Sequence, residues 1–124
     1  MMAQRVLVVE DEPENRLLLG VILSSEGYEV VEAEDGPAAL AAARNDPPAL
    51  VLLDVMMPGM NGYAVLEALR ADPSTRSIPV IMLTALAQCG DVEQAIRMGV
   101  AGYVTKPFEP AELLQVMDKA LRPG

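Results

Sequence analysis

The chain contains no histidine and no tryptophan, and Cys89 is its single cysteine. Without histidine the protein cannot form phosphohistidine on itself, use an imidazole base or offer an imidazole ligand to a metal. One cysteine excludes an internal disulfide, which is consistent with a reducing compartment. Aromatic residues make up only 3% of the chain, so its core must be built from aliphatic side chains and methionine.

Positive charge and long apolar runs are also scarce. The chain has 9 lysines and arginines against 18 acidic residues and a net charge of −9, which argues against direct binding to nucleic acid. No apolar run approaches the roughly 18 residues that a membrane span needs, and no signal peptide is recognisable. The glycine-rich phosphate loops of nucleotide-binding proteins are absent as well. We therefore expect a cytoplasmic protein without a membrane segment.

The chain does have a regular alternation of short apolar runs and helical patterns, over a length of 124 residues that suits one domain. We predict a single domain over residues 1–124. The five predicted strands are residues 5–9, 28–33, 50–54, 79–83 and 103–105. The five predicted helices begin near Pro13, Gly36, Asn61, Val92 and Pro110, and they end near Gly27, Arg44, Arg70, Gly99 and Leu121.

This alternation of strands and helices predicts an α/β fold with a doubly wound parallel sheet and helices on both faces. The first, third and fourth strands are the most apolar and belong in the centre of the sheet. The second strand alternates polar and apolar residues, as an edge strand does. With right-handed crossovers, these features predict a flavodoxin-like fold with strand order 2-1-3-4-5.

The third predicted strand ends in a carboxylate. Residues 50–53 are apolar, Asp54 follows them, and Pro58, Gly59 and Gly62 come soon after. A carboxylate at the end of a core strand costs free energy unless it is solvated, paired or bound to a metal. Aspartate before proline and glycine is also common in turns. This stretch alone therefore leaves open whether Asp54 is a site residue or a turn cap.

Polar residues follow the ends of four strands: Glu10 with Asp11, Asp54, Thr84 and Lys106. Each of them taken alone is commonplace, as a solvated cap, a turn or a surface loop. The carboxyl ends of parallel strands meet at one edge of a sheet, however, and ligands bind there, where the strand order reverses. We therefore expect these four segments to converge on one site between the first and third strands.

The expected set of side chains suits a phosphoryl group. Crowded carboxylates repel one another and favour a hard cation such as Mg²⁺, which leaves coordination positions for phosphate oxygens. Lys106 supplies a second positive charge and Thr84 a hydroxyl donor. A carboxylate such as Asp54 can act as a nucleophile, and phosphoryl transfer depends mainly on positioning and charge neutralisation.

Four motifs closely resemble the receiver domain of two-component response regulators: V-V-E-D-E, L-L-D-V-M-M-P-G-M-N-G, L-T-A and G-Y-V-T-K-P-F. The resemblance extends over essentially the whole chain and implies a phosphorylation-dependent switch with Asp54 as the phosphoacceptor. The resemblance assigns Mg²⁺ binding to Glu10, Asp11, Asp54 and the Met56 main-chain carbonyl. It implies that Thr84 and Lys106 bind the phosphoryl oxygens, and that Thr84 and Tyr103 are the switch residues. It also implies a cis peptide before Pro107.

The same resemblance implies partners and limits. A sensor histidine kinase or phosphotransfer protein would donate the phosphoryl group, and an unknown downstream protein or output domain would contact the face of the fourth helix, fifth strand and fifth helix. We expect a monomer or a weak phosphorylation-dependent dimer, with Mn²⁺ able to replace Mg²⁺. The only reactions expected are self-phosphorylation from phosphodonors and slow auto-dephosphorylation. The dephosphorylation should be slow because apolar Met56 and Leu86 should exclude water from the phosphate.

Two details depart from the family pattern. Residues 100–102 lack the acidic side chains that many DNA-binding regulators carry there, and Ala111 replaces a basic residue of that subfamily, so the resemblance does not extend to its charged dimer face. The acidic pair is Glu10-Asp11 where Asp-Asp is commoner, so we expect Glu10 to reach the metal through water.

Three alternative functions fit the sequence less well. A phosphatase of the haloacid dehalogenase type needs D-x-D on its first strand, where this chain has E-D-E. A flavodoxin-like cofactor binder needs a Ser/Thr/Gly-rich loop at the same place. A receiver that serves only as a scaffold is disfavoured by the intact Asp54, Thr84 and Lys106.

Overall fold

The computed structural model describes residues 4–55, 62–84, 96–105 and 109–121, and at Thr84 the main chain alone. Strands and helices alternate along most of these residues. The elements are β1 (Arg5–Val9), α1 (Pro13–Ser25), β2 (Glu29–Ala33), α2 (Gly36–Asn45), β3 (Leu50–Asp54), α3 (Gly62–Ala71), β4 (Val80–Thr84), β5 (Gly102–Thr105) and α4 (Pro110–Leu121).

The five strands form one parallel sheet in the order β2-β1-β3-β4-β5, which confirms the predicted order. In the register of this sheet, Val9 of β1 pairs with Leu53 of β3. The residues that follow them, Glu10 and Asp54, are therefore placed side by side where the two central strands end. The strand order reverses at this β1–β3 pair, so the crevice expected from the sequence lies here.

Two apolar layers cover the sheet, and the alternation of side chains along the strands decides which residues face which layer. One layer joins alternate strand residues such as Leu7, Leu53 and Met82 to α2 and α3. The other joins the intervening residues, such as Val8 and Leu52, to α1 and α4. β3 is buried along its whole length, as its uninterrupted apolar run predicts for a strand covered on both faces.

The ends of the helices follow local chemistry. Pro13 lies in the first turn of α1, where its missing N–H would have no helical partner. Gly27 follows α1 with φ of 88°, a left-handed conformation that glycine adopts without steric cost. α2 begins after Asp35, whose side chain accepts a hydrogen bond of 2.8 Å from the backbone N–H of Ala38. This cap is not among the features predicted from the sequence.

Most predicted boundaries differ from the structure by one residue at most. β2 begins at Glu29, β4 spans Val80–Thr84 and β5 begins at Gly102. The described residues contain four complete helices where five were predicted. The first half of the remaining predicted helix, residues 92–95, lies outside the described part of the chain, and Ile96 and Arg97 are helical before the turn at Met98 and Gly99. No helix within the described ranges is long and apolar enough to cross a membrane.

Candidate functional site

The backbone pairing of the sheet continues past the ends of the central strands. The N–H of Glu10 donates to the carbonyl of Ala33 on β2 at 3.1 Å. The N–H of Val55 donates to the carbonyl of Leu83 on β4 at 2.9 Å. These bonds hold the residues after β1 and β3 in line with their strands, so the directions of the Glu10 and Asp54 side chains are set by the sheet.

Three carboxylates meet at this edge of the sheet. Oxygens of Glu10, Asp11 and Asp54 all lie within 4.8 Å of one another. Glu10 is fully buried, Asp54 is 4% exposed, and Asp11 is half-buried. Negative charges at such a separation repel strongly in a poorly solvated place. The geometry confirms that β1 and β3 bring these predicted residues together.

This donor set fits a hard divalent cation. Mg²⁺ binds oxygen ligands at about 2.0–2.1 Å, so two ligands on opposite sides of one ion are about 4.2 Å apart. Adjacent ligands of the same ion are about 2.9 Å apart, so the three oxygens, within 4.8 Å of one another, can share an ion by moving closer together, or one of them can act through a water molecule. The latter arrangement agrees with the expectation for the longer side chain of Glu10.

Gly62 lies against the end of β3. Its N–H donates to the carbonyl of Val55 at 2.8 Å, which brings the start of α3 back against the end of β3. A Cβ atom at this position would lie 2.5 Å from the carbonyl oxygen of Asp54 and 2.8 Å from Cα of Val55. Because both atoms belong to the backbone, no rotamer change could relieve this overlap. Glycine is therefore required for this approach to the proposed phosphoacceptor.

Arg16 of α1 contacts the main chain of the acidic pair, Glu10 and Asp11. Its Nη1 donates to the carbonyl of Glu10 at 2.9 Å and to the carbonyl of Asp11 at a longer 3.4 Å. Its Nε lies 3.6 Å from a carboxylate oxygen of Glu32 on β2. Arg16 is not among the site residues predicted from the sequence. The available signal was an arginine one turn inside the helix that follows the acidic pair.

The other predicted site residues are described in part or not at all. Thr84 ends β4, and its backbone pairs with Thr105 of β5. Tyr103 of β5 is 38% exposed, on the outside of the molecule. Met56, Leu86, Lys106 and the Lys106–Pro107 peptide lie outside the described residues. Their predicted roles therefore stay predictions.

Comparison with known families decides the class of protein. The family model for the response regulator receiver domain matches residues 6–118. The chain belongs to this family. As a receiver domain of two-component response regulators, it acts as a phosphorylation-dependent switch. This result confirms the resemblance drawn from the four motifs and favours the receiver function over the phosphatase and cofactor-binding alternatives.

Relatives of this receiver domain include longer regulators. The chain is 48% identical to the response regulator PleD of Caulobacter vibrioides over 112 aligned residues. The aligned region covers 90% of this chain and 25% of PleD. The chain is 44% identical over 121 residues to the DNA-binding response regulator MtrA of Mycolicibacterium smegmatis, covering 98% of this chain and 52% of MtrA. The chain thus spans about a quarter to a half of these relatives.

Solved structures agree with the fold. The chemotaxis response regulator CheY4 of Vibrio cholerae superposes with a TM-score of 0.91 at 32% identity, covering 96% of this chain and 99% of CheY4. The receiver domain of the sensor histidine kinase PA1611 from Pseudomonas aeruginosa has a TM-score of 0.88 at 34% identity, covering 96% of this chain and 98% of that one. That structure holds a magnesium ion in its active-site cleft.

Proposed function

We propose that this receiver domain accepts a phosphoryl group on Asp54 from a phosphohistidine of a sensor kinase or phosphotransfer protein. A carboxylate oxygen of Asp54 forms a bond to phosphorus while the phosphorus–nitrogen bond of the donor breaks. The leaving imidazole keeps the electron pair of that bond. The absence of histidine from this chain agrees with a donor that lies on another protein or domain.

The observation that carries the proposal is the carboxylate cluster at the carboxyl ends of β1 and β3. We assign Mg²⁺ to Glu10, Asp11, Asp54 and the main-chain carbonyl of Met56, with Mn²⁺ as a substitute. When bound, the ion neutralises negative charge on the cluster and on the incoming phosphoryl group. The burial of Asp54 limits the access of water and keeps its carboxylate in a fixed direction, which favours in-line attack.

Thr84 and Lys106 complete the proposed site by family resemblance. The hydroxyl of Thr84 and the ammonium of Lys106 donate to the phosphoryl oxygens. Thr84 ends β4 beside β5, the strand that carries Tyr103. We assign the outgoing signal to the surface formed by the helix predicted near residues 92–99, by β5 and by α4, which is the fifth helix predicted from the sequence. Thr84 and Tyr103 are its switch residues. A ligand shifts such an equilibrium only by its differential affinity for the two states.

The wider assignment is a cytoplasmic switch folded as one receiver domain over residues 1–124. Its activities are self-phosphorylation from phosphodonors and slow auto-dephosphorylation. Its output partner is a downstream protein or domain. The net charge of −9 argues against direct nucleic-acid contact by this domain. In solution the domain is a monomer or a weak dimer that forms on phosphorylation.

A mass measurement tests the central assignment. Incubation with acetyl phosphate and Mg²⁺ should add one phosphoryl group to the intact protein, and hydroxylamine should remove it because acyl phosphates are labile. Asp54→Asn should show no adduct. Asp46→Asn, at the opposite end of the sheet, is the matched control and should be phosphorylated like the unchanged protein. An adduct that persists in Asp54→Asn would contradict the assignment.

A further inference from the structure

We infer that Arg16 is a positioning residue for the metal-binding loop: its guanidinium holds the main chain of the acidic pair so that the Glu10 and Asp11 carboxylates converge with Asp54. The inference rests on the proposed function, because it takes the carboxylate cluster as a cation site. It adds a residue from α1 that touches neither the phosphoacceptor nor the proposed ligand oxygens.

The contacts of Arg16 are with main-chain oxygens of the loop. Nη1 donates to the carbonyl of Glu10 at 2.9 Å and, less closely, to that of Asp11 at 3.4 Å. A peptide group is planar, so a bond to its oxygen restrains the orientation of the whole unit. These peptide units determine the direction in which the Glu10 and Asp11 side chains leave the backbone. Arg16 therefore restrains two of the three carboxylates through their backbone.

The guanidinium itself is held from a second side. Nε of Arg16 lies 3.6 Å from a carboxylate oxygen of Glu32 on the edge strand, and the Arg16 side chain is 18% exposed. Arginine presents several donors in a rigid plane and stays protonated, so one side chain can make both contacts at once. Because its bonds to the loop use carbonyl oxygens, Arg16 does not consume carboxylate oxygens of the acidic pair.

Arg5 provides a matched comparison on the same pair of strands. It lies at the opposite end of β1, with Nε 3.7 Å from a carboxylate oxygen of Glu29 on β2 and Nη1 2.7 Å from one of Asp46. Its side chain is 28% exposed, close to the value for Arg16. Arg5 links the start of β1, and Arg16 links the residues that follow β1, to an acidic residue of β2. Of the two arginines, only Arg16 contacts the acidic pair.

The sign of the expected effect separates positioning from simple electrostatics. A positive charge near a cation site repels the cation, so loss of that charge alone should tighten Mg²⁺ binding. Loss of an outer contact that orients ligands typically weakens metal binding by about 10- to 100-fold. We expect Arg16→Ala to weaken Mg²⁺ binding by about tenfold, the opposite of the electrostatic effect.

The experiment is a calorimetric Mg²⁺ titration of the unchanged protein, Arg16→Ala, Arg16→Lys and Arg5→Ala. Arg16→Lys keeps the charge but not the planar pair of donors, so its affinity should fall between the unchanged protein and Arg16→Ala. Arg5→Ala should bind Mg²⁺ with unchanged affinity. In metal-free protein, amide hydrogen exchange at residues 11 and 12 should accelerate in Arg16→Ala and not in Arg5→Ala.

Each outcome bears on the inference. Unchanged or tighter Mg²⁺ binding in both Arg16 variants would overturn it while leaving the proposed function intact, since the unchanged protein would still bind the ion. Failure of the unchanged protein to bind Mg²⁺ would overturn both. If Arg16→Ala does not fold, Arg16→Lys carries the same comparison, and equal affinity in that variant refutes the positioning role.

Discussion

Charged side chains meet at both ends of the sheet, but in different combinations. At the amino end, Arg5 lies 2.7 Å from Asp46 and 3.7 Å from Glu29, so that opposite charges are paired near solvent. At the carboxyl end, oxygens of three carboxylates lie within 4.8 Å of one another. The first arrangement costs little and contributes little, as exposed ion pairs generally do. The second brings like charges close together, a repulsion that a bound cation would relieve.

The difference shows which end of the sheet is organised for stability and which for binding. Two of the carboxylates at the carboxyl end are buried, and burying negative charges close to one another costs free energy. The apolar layers on both faces of the sheet offset that cost and hold the carboxylates together. A divalent cation bound there would recover part of this free energy. Substitutions at the amino end should therefore change stability without changing Mg²⁺ binding, whereas substitutions at the carboxyl end should change both.

The largest effect should come from Gly62→Ala, which disturbs the carboxyl end through the backbone. The new Cβ would overlap the Asp54 carbonyl, and we expect a loss of about 3 kcal/mol, the upper part of the usual range for overpacking. Phosphorylation by acetyl phosphate should fall as well. Thermal unfolding and intact mass measure the two effects.

Gly20→Ala in α1 is the control for this change. No atom in the described part of the chain lies within 4 Å of a Cβ at Gly20, its own helix backbone and chain neighbours aside. Alanine is the better helix former by up to about 1 kcal/mol. Gly20→Ala should therefore stabilise the protein without changing phosphorylation. Equal stability of the Gly62→Ala variant and the unchanged protein would refute the close-approach argument.

The next effect concerns Asp11, one of the three carboxylates. Mg²⁺ at a hundredfold excess over Kd should stabilise the unchanged protein by about 2.7 kcal/mol, and Asp11→Ala should lose most of this gain. Without metal, Asp11→Ala should be the more stable protein because one repelling charge is gone. Thermal unfolding with and without Mg²⁺ measures both effects.

Asp46→Ala gives the opposite pattern if the comparison of the two ends is correct. It removes the closer of the two acidic partners of Arg5, at 2.7 Å, so it should lower stability by less than about 1 kcal/mol in either condition. Its Mg²⁺ response should match that of the unchanged protein. A Mg²⁺ response that is lost in Asp46→Ala, or kept in Asp11→Ala, would contradict the division between the two ends.

The smallest effect should appear at Asp72, in the loop that leads to the amino end of β4. The pKa of Asp72 is held below its ordinary value, first by the backbone N–H of Ser74, then by the Ser74 hydroxyl, with a smaller contribution from Arg44. A lowered pKa in the folded state stabilises the fold at pH values above the ordinary aspartate pKa of about 3.9. This stabilisation is lost as the pH falls through the lower pKa of the folded protein.

Asp72→Asn tests this pH dependence. Its melting temperature should lie slightly below that of the unchanged protein at pH 7, and the two values should converge in acid. Ser74→Ala should show the same trend to a smaller degree, because it removes one of the two donors from Ser74. A difference that stays constant from pH 7 to pH 3 would show that the Asp72 charge is not responsible.

The strand order and the place of the site could be predicted from the sequence because both depend on local patterns. Apolar runs such as residues 50–53 identify buried strands whatever their partners are. Alternation with helices makes the sheet parallel, and a parallel sheet brings its carboxyl ends to one edge. The meeting of Glu10, Asp11 and Asp54 follows from these patterns, and the structure confirms it.

The tertiary structure alone decided the contacts that depend on the path of the chain between elements. Arg16 is one of several arginines in the sequence, and only the packing of α1 against the sheet places its guanidinium 2.9 Å from the Glu10 carbonyl. The need for glycine at position 62 likewise arises from its approach to the Asp54 backbone. Periodicity and composition report burial, which is a local average, whereas hydrogen bonds and overlaps require atomic positions set by packing over the whole domain.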